Sequence, residues 1–230
     1  MNIEQTQRRT HWCNGIEYNE LPPPVCLVKA MSKKYASNLV KRGELKIHHL
    51  SYFRAWEDKV LGDPNDGKGL YHVNGHPMDI RSANDVYAWC TSFPEITIER
   101  LHLIAEQGKY DCMIVVRNPQ VIFERINNWL SENQRGFLVH CGEVKYSRGD
   151  EVDKETLNSQ KFHFNVFQKD VRFKDDKEYR LSVTNSTFRN LEKKYIKLVL
   201  GDCSDVVTIE ELPDKVSNMD SSVAAFLTGC

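Results

Sequence analysis

Segments with the apolar or alternating pattern of β-strands are spread along the whole chain, and they constrain the fold more than any other feature. Seven such segments occur, at residues 25–30, 44–53, 86–93, 110–118, 136–147, 178–185 and 193–201. Three segments with helical spacing lie among them, at residues 32–43, 95–108 and 119–134. Because strands outnumber helices and no strict strand–helix–strand order is kept, the sequence predicts an α+β fold. We expect a mixed, mostly antiparallel sheet with flanking helices.

The helical segments carry recognisable end signals. Ser32 is a plausible cap for the first helix, and Gly43 a plausible stop. Gly108 closes the second segment, and Pro119 suits the first turn of the third.

The chain length fits one domain. At 230 residues the chain lies near the upper end of common domain sizes, and no internal repeat divides it. The three prolines of the sequence LPPPV end a polar lead-in over residues 1–24, and residues 211–230 form a tail with helical potential. We expect a single domain over residues 1–230.

Composition excludes several classes of protein. Lys and Arg number 31 against 32 Asp and Glu, a net charge of -1, so no global field attracts nucleic acid or an anionic membrane, although a local basic patch remains possible. No apolar run reaches the ~18–20 residues that span a bilayer, and the first residues lack the apolar core of a signal peptide. We therefore expect a cytoplasmic protein without a membrane partner. Seven cysteines without a C-x-x-C pair argue against a disulfide framework.

A long polar stretch over residues 54–79 contains D-P and D-G turn pairs and few apolar residues, which predicts a long ordered loop. Asp63, Asp66 and Asp79 in this stretch could bind a hard cation such as Mg²⁺, as in a nuclease or another hydrolase. Asp63 and Asp66 suit the D-P and D-G turns equally well. His48 and His49 are adjacent and face opposite ways on a strand, and His72 and His76, although four apart, lie in a turn segment and not on a helix, so no metal ligand is assigned.

The sequence FKDDKEYRLSV changes from dense charge to apolar alternation at Glu178. One interpretation is a surface salt bridge at the start of a strand, worth ~0–1 kcal/mol. The other is a carboxylate at the edge of a cleft, where it could stabilise a cationic sugar centre. The local sequence leaves both open.

Three segments in a fixed order resemble the ADP-ribosyltransferase superfamily, in particular its bacterial toxin and phage-defence members. The segments are VCLVKA with the helix and strand that follow, YAWCTSF, and KEYRLSV. The resemblance covers residues 25–183 through short motifs. It implies a sheet split around a cleft, NAD as co-substrate, and transfer of ADP-ribose to a macromolecule, which could be RNA, DNA or protein. A neutralising antitoxin protein is an implied partner.

The resemblance also implies roles for individual residues. Glu178 would hydrogen-bond the nicotinamide ribose and stabilise its developing charge, and Asp176 would orient the acceptor. Thr91 and Ser92 would support the cofactor cleft. The implied contacts to the dinucleotide are Lys29 near the end of the first strand, Tyr35 and Phe53 as stacking rings, and Arg54 at a phosphate.

This sequence departs from the family pattern at two places. The first strand has no histidine or arginine, and the hydroxyl motif reads Cys90-Thr91-Ser92. The alternative hypothesis is therefore a non-catalytic module on the same scaffold, which binds a nucleotide or a partner through the loop over residues 55–79.

Overall fold

A computed structural model describes residues 11–19, 23–55, 62–81, 85–134, 136–149, 162–185, 193–215 and 221–227. The strands are β1 (His11–Cys13), β2 (Ile16–Tyr18), β3 (Leu27–Met31), β4 (Glu44–His49), β5 (Lys68–Val73), β6 (His76–Arg81), β7 (Val86–Ser92), β8 (Cys112–Val116), β9 (Phe137–Glu143), β10 (Glu178–Asn185), β11 (Tyr195–Val199) and β12 (Val207–Glu210). The helices are α1 (Lys33–Arg42), α2 (Leu50–Arg54), α3 (Ile98–Gly108), α4 (Pro119–Asn133) and α5 (Val223–Phe226), with 3₁₀ helices at Phe162–Phe167 and Val171–Asp176.

The expected α+β class with a mixed, mostly antiparallel sheet is confirmed. Ten strands form one sheet whose main path runs β1-β2-β9-β10-β7-β3-β8-β12, with β4 and β11 off this path. Within it only the β2–β9 pair is parallel among the described strands. The lead-in thus contributes two short strands, since residues 11–18 form β1 and β2 at one edge of the sheet.

The sheet forks at β7. One edge of β7 pairs with β10 from Val86 to Ser92. On the other edge, β3 joins only at Ser92, whereas β4 joins at Tyr87 and Ala88. Helix α1 connects the two diverging strands, which leaves a gap beside the middle of β7.

Hydrophobic packing on one face of the sheet is dense. Tyr179, Leu181 and Val183 of β10 join the main core together with Ile122 and Phe123 of α4. The Phe123 and Tyr179 rings stack with centroids 6.0 Å apart. Full burial of a side chain such as Phe123 stabilises the fold by about 1.5–3 kcal/mol, so this face anchors the central strands.

Two hydrophobic clusters cover the opposite face of the sheet. Helix α3 and the tail pack on β3 and β8 through Leu101, Ala105 and Val223. The first 3₁₀ helix packs on β7 through Val166 and Phe167. The C-terminal tail is thus part of the fold, because α5 buries Val223 against this second cluster.

The helix ends follow their sequence signals. Helix α1 begins after Ser32 and ends before Gly43, and Pro119 opens α4, as predicted. Thr97, which the sequence did not single out, caps α3 by accepting a hydrogen bond from the Arg100 amide (3.1 Å).

The long loop predicted over residues 54–79 is wrong in its second half. Residues 68–81 form the hairpin β5–β6, whose turn consists of Asn74 and Gly75 with φ of 52° and 75°. Asn-Gly is the strongest short hairpin signal because both turn residues need positive φ. The first half of the stretch ends in a compact turn, residues 62–67. This turn packs on β10, where Asp66 binds Arg180.

Candidate active site

A cavity of about 120 Å³ lies at the fork of the sheet. The strands β3, β7 and β10 form its floor through Val28, Ala30, Cys90 and Glu178. Helices α2 and α3, together with Tyr110 just beyond the end of α3, form an aromatic and apolar wall; its other residues are Tyr52, Phe53, Leu101 and Ile104. Pockets that enclose a drug-sized ligand measure about 300–1,000 Å³, so this cavity has room for one ring system of a larger ligand.

Six of the eight residues that the sequence singled out line this cavity. They are Lys29, Phe53, Thr91, Ser92, Asp176 and Glu178. They come from positions as far apart as β3 and β10, so the fold brings the three resembling segments together at one place.

Glu178 is the first residue of β10 and lies directly opposite Ser92 of β7. Asp170 caps the preceding 3₁₀ helix, and Lys177 ends it in the left-handed conformation with φ of 46°. The Glu178 amide donates to the Tyr146 hydroxyl (2.9 Å). The glutamate is only 4% exposed, so the interpretation of a surface salt bridge is wrong.

Both carboxylate oxygens of Glu178 are bound by cations. Lys169 Nζ donates to Oε2 at 2.7 Å, and Arg180 Nε donates to Oε1. Arg180 also binds the Asp66 carboxylate with both terminal nitrogens, at 2.6 and 3.1 Å. Bidentate arginine–carboxylate pairs are the strongest of these contacts, so the turn over residues 62–67 is fixed onto β10.

Asp176 extends the same network. Its Oδ2 accepts from Lys169 at 3.1 Å, and its Oδ1 accepts from Arg100 Nε of α3 at 2.8 Å. Asp176 ends the second 3₁₀ helix, so it lies outside the strand that Glu178 opens. The two carboxylates meet because both bind Lys169.

The network keeps Glu178 ionised. Burial alone would raise its pKa, but Arg180 and Lys169 more than offset burial and hold the pKa well below its usual range. For Lys169, burial lowers the pKa, and the charges of Glu178 and Asp176 outweigh it and raise the pKa above its usual value. At neutral pH, Glu178 is therefore an anion between two cations.

Lys29 fills the gap between the diverging strands. Its Nζ donates to the Cys90 carbonyl at 2.7 Å, at a position of β7 between the pairing points of β3 and β4. Burial lowers the Lys29 pKa, and Cys90 and Glu178 partly restore it. The lysine thus serves as a hydrogen-bond donor at the floor of the cavity.

The two hydroxyl residues differ in their surroundings. Thr91 Oγ1 donates to the Tyr179 carbonyl at 2.8 Å and is buried between the strands. The Ser92 hydroxyl, by contrast, has no hydrogen-bond partner in the part of the chain that the structure describes. Ser92 is the one of the two that can bind a ligand without breaking a bond of the fold.

Two predicted contacts lie away from the cavity. Tyr35 is 54% exposed on α1, where its ring lies 5.9 Å from Lys46 Nζ. Arg54 Nε donates to the Asp66 backbone carbonyl at 2.7 Å and so supports the turn that carries Asp66.

Several residues of the site were not predicted. Arg180 lies two positions after Glu178 on a strand, so period-2 alternation placed both on one face. Lys169 gives no such signal, because no local pattern connects it with Glu178. Tyr52 and Tyr110 could have been found only from the packing of α2 and α3.

The metal-binding interpretation has little support at the described positions. Asp63 pairs with Arg148 at 2.7 Å, and Asp66 pairs with Arg180. The side chain of Asp79 lies outside the described residues. Among residues that are described, no three His, Cys, Asp or Glu side chains group as metal ligands.

Comparison with protein-family models, curated proteins and solved structures found no match to the chain. Within the described ranges, every helix is too short or too polar to cross a bilayer.

Proposed function

We propose that the chain is an NAD-dependent ADP-ribosyltransferase that modifies a macromolecule. The observation that carries the proposal is the meeting of Lys29, Ser92 and Glu178 at one cavity, from three segments that are distant in the sequence. The cavity accommodates the nicotinamide end of the dinucleotide, and the remainder lies outside it.

The reaction is a substitution at the anomeric carbon of the nicotinamide ribose. The bond from this carbon to the nicotinamide nitrogen breaks, and nicotinamide leaves with the bonding electrons. The acceptor forms the new bond and loses its proton to solvent. The ionised Glu178 accepts a hydrogen bond from a ribose hydroxyl and stabilises the positive charge on the ring.

The other residues position the substrate. Phe53 and Tyr52 offer aromatic faces for the nicotinamide ring, and the Ser92 hydroxyl binds its amide. Asp176, which lines the cavity and is held by Arg100 and Lys169, orients the acceptor in this proposal. In the ligand complex Lys169 keeps Asp176 as its partner when Glu178 turns to the ribose.

A non-catalytic nucleotide-binding module is the second candidate. It is favoured by the saturation of Glu178, since Lys169 and Arg180 occupy both carboxylate oxygens. A module of this kind binds NAD or another nucleotide and forms no nicotinamide.

The test measures nicotinamide release from NAD, together with the mass of ADP-ribose added to protein, RNA and DNA from a cell extract. The proposal expects release and labelling by the wild type, and loss of both in Glu178→Gln. Glu143→Gln is the matched control, because Glu143 ends the neighbouring strand β9 and its ion pair among the described residues is with the half-buried Lys145. NAD binding without release in the wild type would assign the chain to the second candidate. Melting temperatures separate loss of chemistry from loss of fold.

A further inference from the structure

A row of aromatic side chains around one lysine lies beside the cavity. Its members are Tyr35 of α1, Lys46 and His48 of β4, Tyr52 of α2 and Tyr195 of β11, and we refer to them as the tyrosine–lysine face. The three tyrosines are 54%, 39% and 42% exposed in the order Tyr35, Tyr52, Tyr195. Exposed aromatic residues in one row are unusual on a surface that binds nothing.

The side chains of this face touch one another in sequence. Lys46 Nζ lies 4.7 Å from the centroid of the Tyr195 ring and 5.9 Å from that of Tyr35. His48 stacks on Tyr52 with ring centroids 4.2 Å apart and lies 5.9 Å from Tyr195. The result is a continuous surface of ring faces and one ammonium group.

The face continues into the cavity. Tyr52 belongs to both, because it lines the cavity and stacks on His48. In the strand register His48 pairs with Ala88, which lies two residues before Cys90 on β7. Residues two apart share a side of a strand, so the tyrosine–lysine face and the cavity lie on the same side of the sheet.

The charge of this face is positive. Lys46 forms no ion pair with a carboxylate that the structure describes, whereas the adjacent Lys197 is paired with Glu44 at 3.3 Å. Lys193 and Lys194 are exposed and directly precede Tyr195. Burial, with smaller contributions from Lys29 and Lys46, lowers the His48 pKa to about 4, so His48 is a neutral ring at physiological pH.

His48 also has an unused polar atom. Its Nδ1 is buried and has no hydrogen-bond partner within the described ranges. His48 therefore contributes to this face through its stacked, half-buried ring, while its Nδ1 points away from solvent.

We infer that the tyrosine–lysine face binds single-stranded nucleic acid and guides one nucleotide to the cavity. Stacking of bases on aromatic rings and phosphate contacts by lysines are the two features of single-strand binding surfaces. The near-neutral net charge is consistent with this, because the positive charge is local. The inference names the acceptor class of the proposed transfer and rests on the proposed function for that step only. Strand binding itself needs no NAD.

Fluorescence anisotropy with labelled oligo(U) and oligo(dT) tests strand binding without NAD. We expect Tyr195→Ala to raise the Kd about fivefold or more. Lys46→Ala should make the plot of log association constant against log salt concentration shallower, by about 0.7 in slope, because one phosphate contact is lost. Trp12→Ala and Arg125→Gln are the controls, since Trp12 lies on the edge strand β1 and Arg125 on α4, across the sheet from the cavity. A lower Kd for oligo(U) would indicate that the face prefers RNA, and a lower Kd for oligo(dT) that it prefers DNA.

Several outcomes would overturn the inference. The first is that neither oligonucleotide binds at low salt, and the second is that the test and control variants change the Kd equally. The third is that an acidic polypeptide binds more tightly than the oligonucleotides and that Tyr195→Ala and Lys46→Ala abolish its binding. Strand binding without nicotinamide release would leave the inference standing and refute the transferase. Nicotinamide release without strand binding would refute the inference and leave the transferase proposal standing.

Discussion

Glu178 lies directly opposite Ser92 where β10 pairs with β7, so their side chains share the side of the sheet that carries the cavity. The side chains of the adjacent pair, Tyr179 and Thr91, point to the opposite side of the sheet, and the Thr91 hydroxyl donates a hydrogen bond to the Tyr179 carbonyl. The two neighbouring hydroxyl residues of β7 therefore have different surroundings, since Ser92 faces the cavity and the Thr91 hydroxyl bonds within the sheet.

Thr91 and Ser92 can be separated by substitution. We expect Thr91→Val to lower the free energy of unfolding by about 0.5–1.5 kcal/mol through loss of one buried hydrogen bond. Ser92→Ala should change that free energy by no more than about 0.5 kcal/mol and weaken NAD binding about fivefold to tenfold. Urea unfolding and calorimetric titration with NAD measure the two effects. Equal loss of NAD affinity in both variants would contradict the separate tasks.

Removing Lys169 should destabilise the protein strongly. Lys169→Met leaves Glu178 and Asp176 buried with one cation fewer, and loss of one partner of a buried ion pair costs about 3–5 kcal/mol. Lys215→Met removes an exposed pair with Glu106, which solvent screens, so we expect a far smaller loss of stability. Urea unfolding of the two variants gives the comparison, and similar values would show that the network contributes little.

The pH dependence of stability should carry the signature of Glu178. Its pKa is lowered in the folded state, so its contribution is present above the unfolded pKa of ~4.3. That contribution is lost as the pH falls toward the folded pKa. The difference in unfolding free energy between wild type and Glu178→Gln should thus be constant from pH 5 to 7, at about 3–5 kcal/mol, and shrink below pH 4. A difference that grows on acidification would reverse the assigned direction.

Two glycines of the hairpin region differ in what a side chain would meet. Both Gly67 and Gly75 have positive φ, at 73° and 75°. A Cβ at Gly67 would lie 2.2 Å from Leu50 Cδ1, whereas a Cβ at Gly75 would have no heavy atom of the described residues within 4 Å. We expect Gly75→Ala to cost about 1–2 kcal/mol for the backbone alone, and Gly67→Ala more. Equal melting temperatures would indicate that Leu50 moves aside freely.

Expression in bacteria tests the toxin hypothesis. If the chain consumes NAD and modifies a cellular macromolecule, the wild type should slow growth and lower the cellular NAD content, and Glu178→Gln should do neither. Growth curves at matched protein levels, with Glu143→Gln as the control, give the measurement. A glutamine variant as toxic as the wild type would place the toxicity elsewhere. A protein that relieves the toxicity on co-expression would be the antitoxin that the resemblance implies.

The class of the fold followed from the sequence because strand patterns depend on local alternation. The boundaries of α1 and α4 followed for the same reason, since Gly43 and Pro119 act within one turn. The β5–β6 hairpin had an equally local signal in Asn74-Gly75, and the low hydrophobicity around it concealed the strands. The fork at β7 had no local signal in the sequence, because the pairing of β7 with β3 or β4 depends on contacts between residues far apart in the chain.

The candidate site was predictable in part. Glu178, Ser92 and Lys29 come from segments whose order in the chain resembled a known arrangement, and the structure places them at one cavity. The contacts of Lys169 and Arg180 with Glu178 depend on how the 3₁₀ segment folds over β10, which no window of sequence contains. The resemblance assigned Tyr35 and Arg54 to the dinucleotide, but Tyr35 lies beside Lys46 and Arg54 binds the Asp66 carbonyl.

The fork of the sheet has a further consequence for how this chain could vary. Because β7 changes neighbours partway along its edge, the opening beside it is made by the path of the backbone. Substitutions at its rim can alter what fits inside, whereas the fork itself persists as long as the strands keep their order. Relatives with different ligands could therefore retain the same hollow in the same place, and comparing what lines it would reveal their chemistry sooner than comparing their cores.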